Sequence, residues 1–470
     1  MSKESTPRTV VIGLDCATPQ LFFEKLSQEL PNISALVKSG ASGNLASVAP
    51  PITVPAWACA MTGRNPGQLG IYGFRNRCDH SYDGLSIATS QSIREKALWD
   101  QLGEKNLKSL LIGVPPSYPP SEINGWRVSC FLTPPMAKST TWPPELALEV
   151  EKEVGDYIYD IPDFRMAGEE RVLRDIHSMT TKRFQVASKL ATTKPWDFMM
   201  VCEIALDRLH HVFWQHCDPS HPLYVAGNPY ESAFVDYYRH LDDQVGKFLS
   251  VLPQDAVVIV MSDHGARPML GGVCVNEWLI RNNYLTLNSS VEKPSKLNEL
   301  SINWNKTKAW ADGGYYGRLF LNVKGREPNG LIDQSDYEKV RDELIQAFEE
   351  MPGPSGEYLG TKVHRPEDLY GVVNGIAPDL IIYFGDLSWR SVGTVGLGDL
   401  FTAENDTGPD GANHDKEGIL AVKGLPGLAP GKKVAANLVD IGPTLMSLYG
   451  CEIPEGVVGK DLLSQKNFFN

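Results

Sequence analysis

The chain has no long apolar run. Its first hydrophobic stretch, Val10 to Leu14, follows only nine residues and is too short for a signal-peptide core or a membrane span. A soluble, cytoplasmic protein without a membrane partner is expected. Positive charge is also scarce: 44 Lys and Arg face 57 Asp and Glu, for a formal charge of −13. That balance argues against duplex nucleic acid as a partner, because neutralising phosphates takes an excess of cations, although it allows a local basic pocket. Eight cysteines, at 16, 59, 78, 130, 202, 217, 274 and 451, include no Cys-x-x-Cys pair. A zinc knuckle and a disulfide framework are therefore not indicated, and reduced, mostly buried thiols are expected. Low-complexity tracts and fixed-period repeats are missing, which excludes solenoids and leaves no reason for disorder. With no heptad pattern or exposed apolar stripe, the oligomeric state stays unassigned.

What is present is ordinary globular material: 470 residues, 42% hydrophobic, enough for one large α/β domain with insertions. Apolar, β-branched runs alternate with helical stretches, the pattern of a doubly wound, mostly parallel sheet with helices on both faces. Candidate strands are 9–14, 109–114, 198–203, 256–261 and 379–384. Within 231–252, Phe234, Tyr238, Leu241, Val245 and Phe248 recur at steps of four and three, as on an amphipathic helix. Two regions break the rhythm. Residues 115–144 carry four Pro-Pro pairs and read as a long loop system over the sheet edge. Residues 275–405 contain a strand-like segment at 314–322 and a helix at 334–350, and read as an inserted cap that sets specificity, together with part of the core. The remaining residues, 1–274 and 406–470, would form the core.

Acidic and imidazole side chains stand just beyond the candidate strands. Asp15, Asp263 and His264 follow directly, and Asp207 follows within a few residues, which is where open α/β sheets build their sites. Asp207 and His211 are four apart and share a face if that segment is helical. Three Asp with His211, His264 and a histidine of the C-terminal third, His414 or its rival His364, suit a divalent cation such as zinc. Thr53 lies where a helix begins, with Pro55 in its first turn. A hydroxyl at that positive dipole end can lose its proton to a metal and attack phosphorus. Each fragment also has an ordinary explanation: Thr before Pro caps helices, Asp and Gly form turns, and Asp-x-x-x-His can sit on a solvated helix face. His210, His216, His221 and His240 are assigned to packing or surface.

Taken together, the ordered motifs VIGLD (11–15), PPITVPAW (50–57), TGRNPG (62–67), DRLHH (207–211), MSDHG (261–265), VKGREP (323–328) and DIGPTL (440–445) resemble the alkaline phosphatase superfamily. The resemblance is strongest to its type I phosphodiesterase/nucleotide pyrophosphatase branch. It implies two zinc ions, with manganese as the alternative. Asp15, Thr53, Asp263 and His264 would hold one, and Asp207, His211 and His414 the other. Thr53 would be the nucleophile and carry a phospho-threonine intermediate. Sulfatases are disfavoured, since they need Cys or Ser in a C/S-x-P-x-R context where this chain has Thr-Val-Pro-Ala-Trp.

The resemblance implies a phosphodiester or nucleotide pyrophosphate substrate, with a monoesterase, phosphotransferase or phosphomutase as the alternative. A non-catalytic metal- or phosphate-binding protein is the reading of another class. The branch places a phosphate-binding Asn beyond a Gly-Ile; here Phe74 takes that place by offset, with Arg75 and Asn76 as substitutes. Trp57, Phe74, Tyr315 and Tyr316 are candidates for a ring-binding slot. The expected partner is a nucleotide or small phosphorylated metabolite.

Overall fold

A computed structural model describes residues 7–403 and 405–465. Five parallel strands make its centre, in the order Val257–Met261, Thr9–Leu14, Phe198–Glu203, Ser109–Ile112 and Gly125–Val128. Glu417–Lys423 runs antiparallel beside Val257–Met261, and Ala41–Ala46 lies outside it. The short strands Lys432–Lys433 and Ala436–Asn437 complete that side, and Thr141–Trp142 closes the other, giving ten strands.

The strands read as unbroken apolar runs because both faces of the sheet are covered. Val10, Ile12 and Leu14 enter one core, against helices Glu169–Thr193 and Ala233–Val251. Val11 enters the other, where Ala56, Trp57, Ala60 and Met61 of helix Thr53–Thr62 meet helix Ile441–Leu448. A third core lies within residues 273–384. There a four-stranded antiparallel sheet, ordered Ala309–Asp312, Gly317–Leu321, Leu380–Tyr383, Lys362–His364, packs with helices Val275–Arg281 and Tyr337–Glu349.

Several expectations need correction. Residues 379–384 do contain a strand, Leu380–Tyr383, but it belongs to this separate antiparallel sheet. An apolar run reports burial and not which sheet buries it. The Pro-rich 115–144 region is more than a loop, for Gly125–Val128 and Thr141–Trp142 are strands whose prolines all fall outside them. The expected helix at 334–350 divides into a 3-10 turn, Gln334–Asp336, and the α-helix Tyr337–Glu349. All eight cysteines are free thiols, five of them buried. Among the described residues no helix is long and apolar enough to cross a membrane.

Candidate active site

The carboxyl ends of three adjacent parallel strands supply the acids. Asp15 directly follows Thr9–Leu14, Asp263 follows Val257–Met261 by two residues, and Asp207 lies in the first turn of helix Ala205–Cys217, just after Phe198–Glu203. Cys16 turns the chain away from Asp15 with φ of 69°, a left-handed conformation unusual for a side-chain-bearing residue. The turn aims the Cys16 N–H at Asp263 Oδ1, 3.3 Å away. His414 arrives from strand Ala412–Asp415, which pairs antiparallel with Gly265–Pro268 and so sets His414 opposite Ala266.

Two clusters result. Asp15, Asp263 and His264 form one, and Asp207, His211 and His414 the other; within each, one donor atom per residue lies within 4.8 Å of the others. Rings of His264 and His414 stack at 3.8 Å, so the clusters share a wall. Thr53, the first residue of its helix, places Oγ1 3.3 Å from His264 Nε2. All seven side chains are buried.

The tautomers can be read from the partners of each imidazole. Nδ1 of His264 faces the Gly265 carbonyl at 3.0 Å, that of His414 the Pro51 carbonyl at 2.7 Å, and that of His211 Asp410 Oδ1 at 2.8 Å. Acceptors at all three fix the proton on Nδ1 and leave the Nε2 lone pairs turned to the clusters. His211 Nε2 and His414 Nε2 stand only 3.3 Å apart, so a proton or a metal ion must lie between them. Asp15 Oδ1, Asp207 Oδ1 and Asp263 Oδ2 are buried and accept no hydrogen bond. One unpartnered oxygen on each carboxylate, facing imidazole lone pairs, is a donor set that fits divalent cations, and the mix of Asp and His fits zinc.

Electrostatics agree. Burial, reinforced by Asp207, raises the Asp15 carboxyl well above the usual range, and burial with Asp15 does the same to Asp263. Burial would also raise Asp207, yet His211, Arg208 and His414 outweigh it and hold that carboxyl well below normal. His264 is lowered to about 4, chiefly by burial, and His414 is lowered by burial and by His264. Burial opposes charge on His211 too, but Asp410, Tyr315 and Asp207 raise it. Carboxylates crowded without compensation are what bound cations would relieve.

The sequence profile of the family described as type I phosphodiesterase / nucleotide pyrophosphatase matches residues 9–413. The chain belongs to this family. It is a metal-dependent phosphoester hydrolase with two clusters for two divalent ions. Solved structures with the same fold include murine ectonucleotide pyrophosphatase / phosphodiesterase 5, at 13% identity and a TM-score of 0.56, covering 95% of this chain and 96% of that one. The inactive threonine-to-alanine variant of that protein, in complex with AMP, has a TM-score of 0.57 at 13% identity over the same shares of both chains. The human counterpart, also at 13% identity and covering 95% and 96%, has a TM-score of 0.54. No curated protein gives a significant sequence match.

The substrate-binding expectations fare unevenly. Tyr315 stands at the site, its ring 4.0 Å from His414 and its hydroxyl 3.1 Å from His211 Nε2. Phe74 is half-buried against Phe131, ring centroids 6.1 Å apart. Trp57 lines no slot: it is fully buried, and its indole N–H donates to Asp15 Oδ2 at 2.7 Å, so it orients a metal ligand. Tyr316 is buried as well, donating to the Tyr72 carbonyl. Asn76 is consumed by its own loop, accepting from the Tyr72 N–H at 2.7 Å and donating to the Gly73 carbonyl at 3.0 Å. Arg75 is exposed on a hairpin, with no ion pair or side-chain hydrogen bond to either cluster among the described residues. His364, the rival of His414, instead lies edge-on to Tyr383, ring centroids 5.1 Å apart.

Sequence reasoning missed the groups around the second cluster. Asp410 accepts from His211 and from Arg165 Nε, both at 2.8 Å, and from Arg390 at 3.2 Å. Arg208 donates to Asp207 Oδ2 at 2.6 Å and grips Asp160 through two 2.8 Å bonds. Phe131 and Phe164 cover the Arg208 guanidinium, and Phe164 also meets Arg165. Only Arg208, inside the DRLHH motif, carried a local signal; the others come from separate segments of the chain, Arg390 from strand Trp389–Val392.

Proposed function

We propose that Thr53 is the nucleophile of a phosphodiesterase acting on nucleotide-like diesters or pyrophosphates. The carrying observation is Thr53 Oγ1 at a helix start, 3.3 Å from His264 Nε2, beside carboxylate oxygens that have no partner. Bound zinc supplies Lewis acidity that favours the alkoxide and neutralises charge on the phosphoryl oxygens. Asp15, Asp263 and His264 would serve one ion, with Thr53; Asp207, His211 and His414 would serve the other.

The Thr53 oxygen forms a bond to phosphorus while the bond to the leaving oxygen breaks, giving phospho-threonine. Water then cleaves it and regenerates the hydroxyl. Pro55, which has no N–H to leave unpaired, sits in the first turn, where N–H groups and the dipole favour anionic oxygens. Trp57 and the Nδ1 acceptors keep the ligands from rotating. Family membership supports the diester reading, as does the fold shared with a murine protein solved with AMP. Residues 275–405 would form the cap that sets specificity.

A second reading, a monoesterase or phosphotransferase, is favoured by one observation. Asn76 is tied to its own loop, while the Arg165 guanidinium stands beside Tyr315 at the cluster and could meet a dianionic phosphate. Hydrolysis of bis-p-nitrophenyl phosphate and thymidine 5′-monophosphate p-nitrophenyl ester against p-nitrophenyl phosphate, with zinc, decides between them. Diesters should win by about a hundredfold, roughly 2.7 kcal/mol of transition-state preference. A preference for the monoester, or transfer of phosphate to an added alcohol, would replace that assignment. Thr53→Ala should lose about a thousandfold or more in kcat; unchanged turnover would remove Thr53 from its role.

A further inference from the structure

A cavity of about 680 Å³ lies outside both metal clusters, between the hairpin Arg75–Arg77/Leu85–Ile87 and the four-stranded antiparallel sheet. Its size falls within the range of pockets for small organic ligands. One wall is aromatic: Tyr82 and Trp304 stack with centroids 3.5 Å apart and planes 3° apart, and Trp310 and Phe320 continue the surface. Such a wall offers flat apolar area to a ring.

The other walls are cationic. Arg75, Arg77, Lys296, Arg318 and Arg390 line the cavity, against Asp83, Asp312 and Asp406. In a chain of formal charge −13 this local reversal is out of keeping with the whole. The acids offset it only in part. Asp312 is held by Arg318 at 3.3 Å, and Asp406 accepts from the Gly393 N–H and the Thr394 hydroxyl, each at 3.2 Å. Asp83 is exposed. Arg75 and Lys296, both exposed, have no carboxylate within ion-pairing distance among the described residues.

Deeper in, Arg77 and Arg390 are 8% and 5% exposed, and the Nε–H of each has no acceptor. Arg77, whose charge is offset by the buried Glu327 carboxylate at 3.2 Å, lies over Trp310 and Phe320, at 5.3 and 5.1 Å, so ring and guanidinium surfaces adjoin. Arg390 shares its carboxylate, Asp410, with Arg165 and His211, which leaves that end of the cavity positive. Its guanidinium also lies 4.8 Å from the Tyr315 ring, which puts one side chain between this cavity and the metal centre.

We propose that this cavity is a binding site for a planar organic anion, a ring bearing a carboxylate, sulfonate or phosphate, held by aromatic stacking and guanidinium contacts. It is separate from the metal centre and touches it through Arg390 and Tyr315, and it stands whether or not Thr53 is the nucleophile. The same chemistry could arrive as the far end of a substrate or as a free metabolite.

Calorimetric titration of the zinc-loaded full chain with naphthalene-2-sulfonate tests the site. Saturable binding at one site per chain is expected. It should weaken by about tenfold in the charge-reversed Arg75→Glu/Lys296→Glu protein and by a similar factor in Trp304→Ala. Sulfate without a ring and uncharged 2-naphthol should each bind about tenfold more weakly. Absence of saturation overturns the proposal, as does equal affinity in both variants, which would put the probe elsewhere. Given binding lost in the variants, competitive inhibition of diester hydrolysis identifies the ligand as part of the substrate. Binding without competition identifies a separate metabolite.

Discussion

At the residue scale, the site depends on groups that touch no substrate. Asp410 is the clearest. It holds the Nδ1 side of His211 while two guanidiniums, with the charged form of His211, keep its own carboxyl well below the ordinary range against the effect of burial. Asp410→Asn keeps the shape and removes the charge, so the His211 proton is held less firmly on Nδ1 and Nε2 becomes a poorer donor. Zinc affinity at that cluster should fall by about 10- to 100-fold, the usual cost of losing such a support. Chelator competition reads this directly, and an unchanged dissociation constant would reduce Asp410 to packing. Most cluster ligands were legible in the sequence because each lies in a short motif next to a strand end. Asp410, Arg165 and Arg390 were not, since no local pattern marks a residue that acts on another from a distant part of the chain. Trp57 was visible in the sequence and given the wrong part: an indole near a nucleophile reads as a ring-binding wall until its depth is known.

At the scale of elements, the site rests on close contact between strand Thr9–Leu14 and helix Thr53–Thr62. Gly13 makes that approach possible, for a Cβ there would stand 2.5 Å from Trp57 Cη2. Neither element can give way, because the strand is paired on both sides and the helix is buried along its whole length. Gly13→Ala should therefore cost about 1 to 3 kcal/mol of stability, as overpacking does. Because Trp57 holds Asp15, zinc binding should weaken as well. A denaturation midpoint equal to that of the parent would show that the interface is softer than this packing implies. The strand order was not legible in the same way. Periodicity marks an apolar segment as buried, but Leu380–Tyr383 and Val257–Met261 look alike in sequence and belong to different sheets. Ala41–Ala46, with Ser42, Gly43 and Asn44, has little apolar signal and owes its strand form to pairing with Glu417–Lys423.

For the whole molecule, metal and pH are linked. Asp15, Asp263 and His211 are raised in the folded protein, so the stability they contribute is present at low pH and is lost as pH climbs through their folded values. His264 and His414 are lowered; above their ordinary value they are neutral folded and unfolded, and they add no slope there. Asp207, also lowered, is ionised in both states in that range. Chelator-treated protein should thus lose melting temperature as pH rises above the ordinary histidine value, about 6.5, toward the raised folded values. Zinc at about a hundred times its dissociation constant should restore about 2.7 kcal/mol per site and flatten the trend. A metal-free protein with a flat profile would mean that the buried acids find other compensation.

The sequence by itself determined the family, the six residues that form the clusters and the alternation of strands and helices. These depend on residue type and short spacing, which local chemistry constrains. Tertiary structure decided which strands share a sheet, which proton each imidazole carries, where Trp57, Asn76 and Arg75 point, and where a cationic cavity opens. Those depend on contacts between segments far apart in the chain, whose geometry appears only when the cores on both sides of the sheet are packed.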